Sequence, residues 1–199
     1  SEEYFMLPIQ TARGCTFKCT FCSETRLYRY KSAEKVRDDI VKLYNEYGYT
    51  DFWFVDSLIN GSMKQFEELI DLLNDLPFKI NWGGYSRTSK KMDDDLMKRA
   101  KSSGMSWLEV GVESGVPKIL GLMEKGQTPD VIKDVLKHSH NNGIALAANW
   151  IPAYAKENSM DFLQNLLFLY DTREYFDKKS ITEEEHKRFV SRVNMMVPV

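Results

Sequence analysis

At 199 residues, with 43% hydrophobic and 28% charged side chains, the chain has the composition of one soluble globular domain long enough to bury a substantial core. Its formal net charge of −2 supplies no bulk attraction for nucleic acid or an anionic membrane, and no basic stripe is evident. No apolar run reaches the length of a membrane span, and the N-terminus lacks the order of a signal peptide, so the expected compartment is the cytoplasm.

Apolar strand-like runs alternate with amphipathic helical stretches, the order of parallel strands joined by crossover helices in units of about thirty residues. The first strand is expected over Tyr4 to Ala12. A helix follows from Ser32, whose hydroxyl can cap it, with Ala33, Val36, Ile40, Leu43, Tyr44 and Tyr47 on one face and Gly48 as its stop. Asp51 to Val55, nearly all apolar, reads as a strand covered on both faces. Its helix carries Phe66, Leu69, Ile70 and Leu73. Phe78 to Trp82 is the expected third strand, Met92 to Ser103 the next helix, and Trp107 to Val112 the fourth strand. Thr128-Pro129 opens a helix that runs to Asn142. Ile144 to Ile151 is the fifth strand, a helix bearing Leu163, Leu166, Leu167 and Tyr170 follows, then a polar helical stretch from Thr182, and Val193 to Val199 is a candidate sixth strand. Five or six units fall short of the eight of a closed (β/α)₈ barrel, so the expected fold is α/β, a partial, open TIM-type barrel on a parallel sheet. Residues 1–199 read as one domain, and a start at Ser1 rather than Met suggests a core excised from a longer protein.

The only cysteines, Cys15, Cys19 and Cys22, fall in one stretch, Gly14-Cys-Thr-Phe-Lys-Cys-Thr-Phe-Cys-Ser23. Three thiolates on one loop can hold three irons of a [4Fe–4S] cluster and leave the fourth iron open to a ligand. A structural zinc site normally adds a second ligand pair downstream, and none follows; His138 and His140 sit on an expected helix more than a hundred residues away, and His186 lies in a charged run. Three cysteines cannot pair off as disulfides. Free thiolates and a reducible cluster agree with a reducing compartment.

The C-x-x-x-C-x-x-C spacing, with Phe21 directly before the third cysteine, resembles the signature of the radical S-adenosylmethionine (radical SAM) superfamily, and Gly14-Cys15 and Cys22-Ser23 together with Gly111-Val-Glu-Ser114 resemble its cobalamin-binding and methylthiotransferase-like branch. The resemblance covers the chain through about Glu157. It implies a six-unit partial barrel, with SAM chelating the open iron. An electron from the reduced cluster would cleave SAM to a 5′-deoxyadenosyl radical, possible uses being methyl or sulfur-group transfer. It also implies an electron donor such as flavodoxin or ferredoxin, a substrate that the sequence does not identify, and cobalamin only through a domain outside this chain. Nucleic acid and membrane partners are not indicated.

Further site residues follow from the strand ends, where βα folds gather their ligands. By resemblance, Phe21 lies near the adenine, and Asp56 stands at the family's second-strand motif for the SAM amino group, although Val55-Asp56-Ser57 departs from the usual Gly-Gly-Glu; a turn cap is the alternative for Asp56. Arg87 can pair with the methionyl carboxylate or lie at the surface. Glu113, with Ser114 beside it, ends an apolar strand and needs a partner, which SAM's ribose hydroxyls or ammonium, or a structural cation, would supply. Ile151 would pack on the adenine. The family's fifth-strand glycines are Ala153 and Lys156 here, which keeps a catalytically silent core fragment among the readings. An iron–sulfur electron carrier or sensor is the other alternative. The open face of a partial barrel also calls for an added domain or subunit to close it.

Overall fold

In a computed structural model, which describes residues 6–24 and 26–176, five parallel strands form one sheet. They are β1 (Leu7–Ile9), β4 (Asp51–Phe54), β5 (Asn81–Ser86), β6 (Met105–Glu113) and β7 (Ala145–Trp150), in the spatial order β1-β4-β5-β6-β7. Among the described residues the sheet does not close, and β1 and β7 are its edges. A second, two-stranded antiparallel sheet pairs β2 (Ala12–Arg13) with β3 (Arg29–Tyr30). The polar helical stretch and the sixth strand expected near the C-terminus lie outside the described residues.

Helices α1 (Ala33–Tyr47), α2 (Met63–Asn74), α3 (Asp94–Ser102) and α5 (Pro129–Asn141) make the crossovers, and a short α4 (Pro117–Leu122) precedes α5. Each crossover helix starts on a side-chain cap: Ser32, Ser62, Asp93 and Thr128 accept the amides of Lys35, Gln65, Leu96 and Val131. The core between sheet and helices is built on Phe52, Phe54, Phe66, Trp82, Met97 and Leu108, all fully buried, with Phe54 and Trp82 stacked at 4.8 Å.

The expected first strand, Tyr4 to Ala12, is divided, with Leu7–Ile9 in the main sheet and Ala12 in the second, and two later elements differ from the sequence expectation for physical reasons. The third sheet strand, β5, is displaced toward the C-terminus relative to Phe78 to Trp82 and takes in Gly83 and Gly84. A Cβ on Gly83 would lie 2.3 Å from the Trp107 carbonyl oxygen, and one on Gly84 2.8 Å from that of Phe54, so these glycines admit neighbouring strands rather than make a turn. The final helix, α6 (Ser159–Thr172), turns Asp161, Asn165, Phe168 and Thr172 inward and exposes Leu163, Leu166, Leu167 and Tyr170. Polar anchors on its inner face set this rotation: Asp161 joins Asn158 in a capping box and binds Lys118, while Asn165 binds Ser114 and Glu157. No helix among the described residues is long and apolar enough to cross a membrane.

Candidate functional site

The cysteine loop hangs from the β2–β3 ribbon, which the sequence pattern did not disclose. Gly14 closes its neck: φ is 76°, and a Cβ there would meet the Arg26 carbonyl oxygen at 2.4 Å. All three thiols are free, Cys15 and Cys19 half-buried and Cys22 exposed. The amide of Phe17 points at Cys15 Sγ (3.5 Å) and that of Glu24 at Cys22 Sγ (3.4 Å), so both sulfurs accept from the loop backbone. Among the described residues, no three histidine, cysteine or carboxylate side chains converge on a single-ion position. The donor chemistry, soft thiols from one loop supported by amide donors, fits a [4Fe–4S] cluster.

The far side of the loop is fastened to the α4 region. Thr20 donates its amide to the Met123 carbonyl (3.0 Å) and its hydroxyl to that of Leu122 (3.1 Å), and shares a 2.7 Å hydrogen bond with the Tyr154 hydroxyl. Phe21 and Ile151 pack with Val116, Ile119 and Met123 in one apolar cluster. Two of the expected adenine-side residues are therefore brought together.

Arg87, at the end of β5, is buried beside the cysteines. Its guanidinium stacks on Phe17 at 3.7 Å and points Nη1 at Cys19 Sγ (3.6 Å). Asn60 clamps its backbone, giving Nδ2 to the Arg87 carbonyl (2.7 Å) and accepting the Arg87 amide (3.1 Å). Burial pulls the guanidinium's pKa down, against the Cys19 and Cys15 sulfurs and Glu113, which hold it up. Phe17, Asn60, Arg87, Lys90, Gln127 and Val131 border a cavity of about 390 Å³ next to the loop, within the size range of small-molecule sites.

At the end of β6, a register shift between Gly111 and Glu113 and a left-handed φ of 65° at Glu113 re-aim its side chain. Its Oε1 accepts from Lys125 Nζ at 3.0 Å, and both side chains are buried. Gly111 leaves the space: a Cβ there would lie 2.8 Å from Glu113 Oε1 and 2.9 Å from Lys125 Nζ. Lys125 also lies 5.5 Å from the Phe21 ring centre. Sequence reasoning missed Lys125, which sits on no strand; the signal was that a carboxylate ending an apolar strand requires a cation. Ser114, fully buried, donates to Asn165 Oδ1 (2.9 Å), and Asn165 in turn donates to Glu157 (2.7 Å), so Ser114 ties the β6 and β7 loops together. In the β7 loop, Ala153 and Lys156 take φ of 57° and 68°. The backbone thus follows a path suited to glycine although neither residue is one.

Asp56, after β4, is buried and points at the β1–β2 turn. Its carboxylate accepts the amides of Thr11 and Ala12, each at 2.8 Å, and the Thr11 hydroxyl. Burial raises its pKa, outweighing these hydrogen bonds. Through this turn Asp56 fixes the strand entering the cysteine loop. Asp56→Ala should destabilise the fold by about 1–3 kcal/mol for each buried donor it leaves unpaired, read as a lower urea midpoint. An unchanged midpoint would show that the turn holds without it.

A family profile described as Radical SAM superfamily matches residues 9–169. An anaerobic magnesium-protoporphyrin IX monomethyl ester cyclase from Cereibacter sphaeroides is 32% identical over 146 residues, covering 70% of this chain and 24% of that protein. A cytidylyl-2-hydroxyethylphosphonate methyltransferase from Streptomyces wedmorensis is 28% identical over 142 residues, covering 68% of this chain and 26% of that one. Among solved structures, the radical S-adenosylmethionine methyltransferase TsrM from Kitasatospora setae, with cobalamin and a [4Fe–4S] cluster bound, superposes with a TM-score of 0.73 at 19% identity, over 84% of this chain and 35% of that one. The chain spans about a quarter of the length of the two sequence relatives.

Proposed function

The chain belongs to the radical SAM superfamily, and from that premise we propose that residues 1–199 form the core domain of an enzyme that binds a [4Fe–4S] cluster through Cys15, Cys19 and Cys22 and lays S-adenosylmethionine across the strand ends, for methyl or sulfur-group transfer. The carrying observation is the convergence of three free thiols with a buried arginine and a buried carboxylate–lysine pair at the ends of neighbouring parallel strands. When bound, the cluster and SAM supply reductive cleavage of the sulfonium and a 5′-deoxyadenosyl radical.

This chain's residues divide the remaining work. Arg87 offsets thiolate charge at Cys19 and presents a planar fork to the methionyl carboxylate. Glu113 spends Oε1 on Lys125 and offers its other oxygen to the ribose hydroxyls, while Lys125 gives the buried carboxylate a hydrogen-bonded cation. Phe21 and Ile151 provide the apolar wall for the adenine. Ser114 holds the β6 and β7 loops in register. Asp56 acts through the turn that carries the cysteine loop and leaves the SAM ammonium to other groups. The left-handed backbone at Ala153 and Lys156 supports a working site over a silent one, because the chain bears the strain of that path without glycine. A cobalamin cofactor would come from a domain beyond this chain. The working compartment is the cytoplasm, and a one-electron reductant serves the cluster.

Anaerobic reconstitution followed by SAM and dithionite tests the reading. We expect 5′-deoxyadenosine to form slowly, uncoupled from product, because the open face of a partial barrel calls for an added domain or subunit to keep solvent from the radical. A loaded, reducible cluster that never cleaves SAM would assign the protein to electron transfer instead.

A further inference from the structure

We propose that Glu109, in the middle of β6, is a substrate-specificity residue that receives a cationic amine or guanidine group of the substrate in the hollow of the partial barrel. The inference deepens the radical SAM reading and rests on it, since that reading puts the reacting end of the substrate at the strand ends above. Strand alternation sets the position. Phe54, Trp82, Leu108 and Val110 join the core on the helix side, so the alternating residues Tyr85, Trp107, Glu109 and Ala147 lie on the other face of the sheet. Tyr85 of β5 and Ala147 of β7 stand directly opposite Glu109 in the register. The Asn149 side chain, one pleat further along β7, donates to the Glu109 carboxylate.

This carboxylate stands on a strand whose other residues from Trp107 to Val112 are apolar or glycine, and no lysine, arginine or histidine pairs with it among the described residues. The cations of the site are committed elsewhere. Lys125 is bound to Glu113, and Arg87 stacks on Phe17 beside Cys19. Burial pushes the Glu109 carboxyl above its usual range, outweighing the Asn149 hydrogen bond, which pulls it down. A half-buried carboxylate supported by one neutral amide still lacks a charge partner, and a cationic ligand provides one.

The surroundings narrow the ligand further. Trp107 is one pleat back on the same strand, and its indole lies against Gly83, where a Cβ would come 2.5 Å from Trp107 Nε1. Tyr85 flanks the carboxylate from β5. Aromatic rings beside a carboxylate favour an ammonium or guanidinium on an apolar stem over a neutral donor. Ala147, small and half-buried on the β7 side, leaves room for that group. Four residues separate Glu109 from Glu113, the residue assigned to the SAM ribose. At about 3.3 Å of rise each, the amine binds on the order of 10 Å below the strand ends. The substrate class is therefore an amine or guanidine whose cationic group lies several bonds from the reacting carbon.

The test titrates the full chain, free of cluster, with three matched probes, 4-phenylbutylamine, 4-phenylbutanol and 4-phenylbutyrate, read by saturation-transfer NMR. Wild type should bind the amine roughly tenfold or more tightly than either the alcohol or the carboxylate. Glu109→Gln keeps size and an acceptor for Asn149 while removing the charge, and it should bring amine and alcohol to nearly equal affinity. Asn149→Lys, at an exposed position, sets a tethered ammonium beside Glu109 and should likewise erase the preference by occupying the carboxylate from within. This second variant decides the matter where the first fails to fold. Equal binding of amine and alcohol by wild type, or an amine preference retained in either folded variant, would overturn the proposal. No probe reading depends on the cluster or on SAM. A protein that shows the preference carried by Glu109 yet never binds SAM would strike the SAM reading of the strand ends and leave the amine site standing.

Discussion

Replacing any one of Cys15, Cys19 and Cys22 with alanine is expected to abolish the broad visible absorbance of anaerobically reconstituted protein. Each thiolate would hold one iron, and the described histidines, His138 and His140, are engaged elsewhere, with the carbonyls of Met92 and Tyr175. The effect is all-or-none because a loop with two thiolates leaves a second iron without its ligand. Folding should survive, since the loop is held at its neck by Gly14 and on its far side by Thr20, and neither contact uses a sulfur. Iron and sulfide analysis beside near-ultraviolet circular dichroism checks both halves. Unchanged iron and sulfide in all three variants would remove the cluster from the account.

The second large effect is expected at Lys125. Lys125→Met keeps the stem and deletes the charge, leaving Glu113 buried without its cation; breaking a buried pair in this way costs about 3–5 kcal/mol. Combining it with Glu113→Gln should recover much of that loss, because no unpaired charge then remains, and the four proteins form a cycle that isolates the coupling. Glu113→Gln alone should weaken SAM binding by about 1.5–3 kcal/mol, the range for hydrogen bonds to a charged group. A Lys125→Met protein within about 1 kcal/mol of wild type in urea would mean that water reaches the pair and that the site is more open than its burial indicates.

The crossover pattern and the cysteine loop were legible because both depend on local spacing. Helix caps at Ser32 and Thr128, and the apolar run from Asp51, report on their own neighbourhoods. What was not legible depends on contacts distant in sequence. Gly83 and Gly84 resemble a turn until Trp107 and Phe54 are placed against them. The apolar stripe of α6 resembles a core face until Asn165 and Asp161 find partners on the β6 and β7 loops and roll it outward. At the site, Glu113 announced the need for a cation, but its partner twelve positions later required the bulge at Gly111. Ala153 and Lys156 look like departures from a glycine motif, yet the backbone takes the glycine path with them.

The fastening of Thr20 to Leu122 and Tyr154 spans 102 and 134 positions of the chain. At a synthesis rate of about 5–20 residues per second, the cysteines leave the ribosome roughly 7–27 seconds before the last of the groups that seat their loop. During that interval they are three unanchored thiols on a nascent segment, open to stray metals and oxidants. Orderly delivery of iron and sulfide therefore belongs after the seventh strand has joined the sheet, and a chain terminated before Tyr154 would carry every cluster ligand yet lack the hydroxyl that helps tell the loop where to stand.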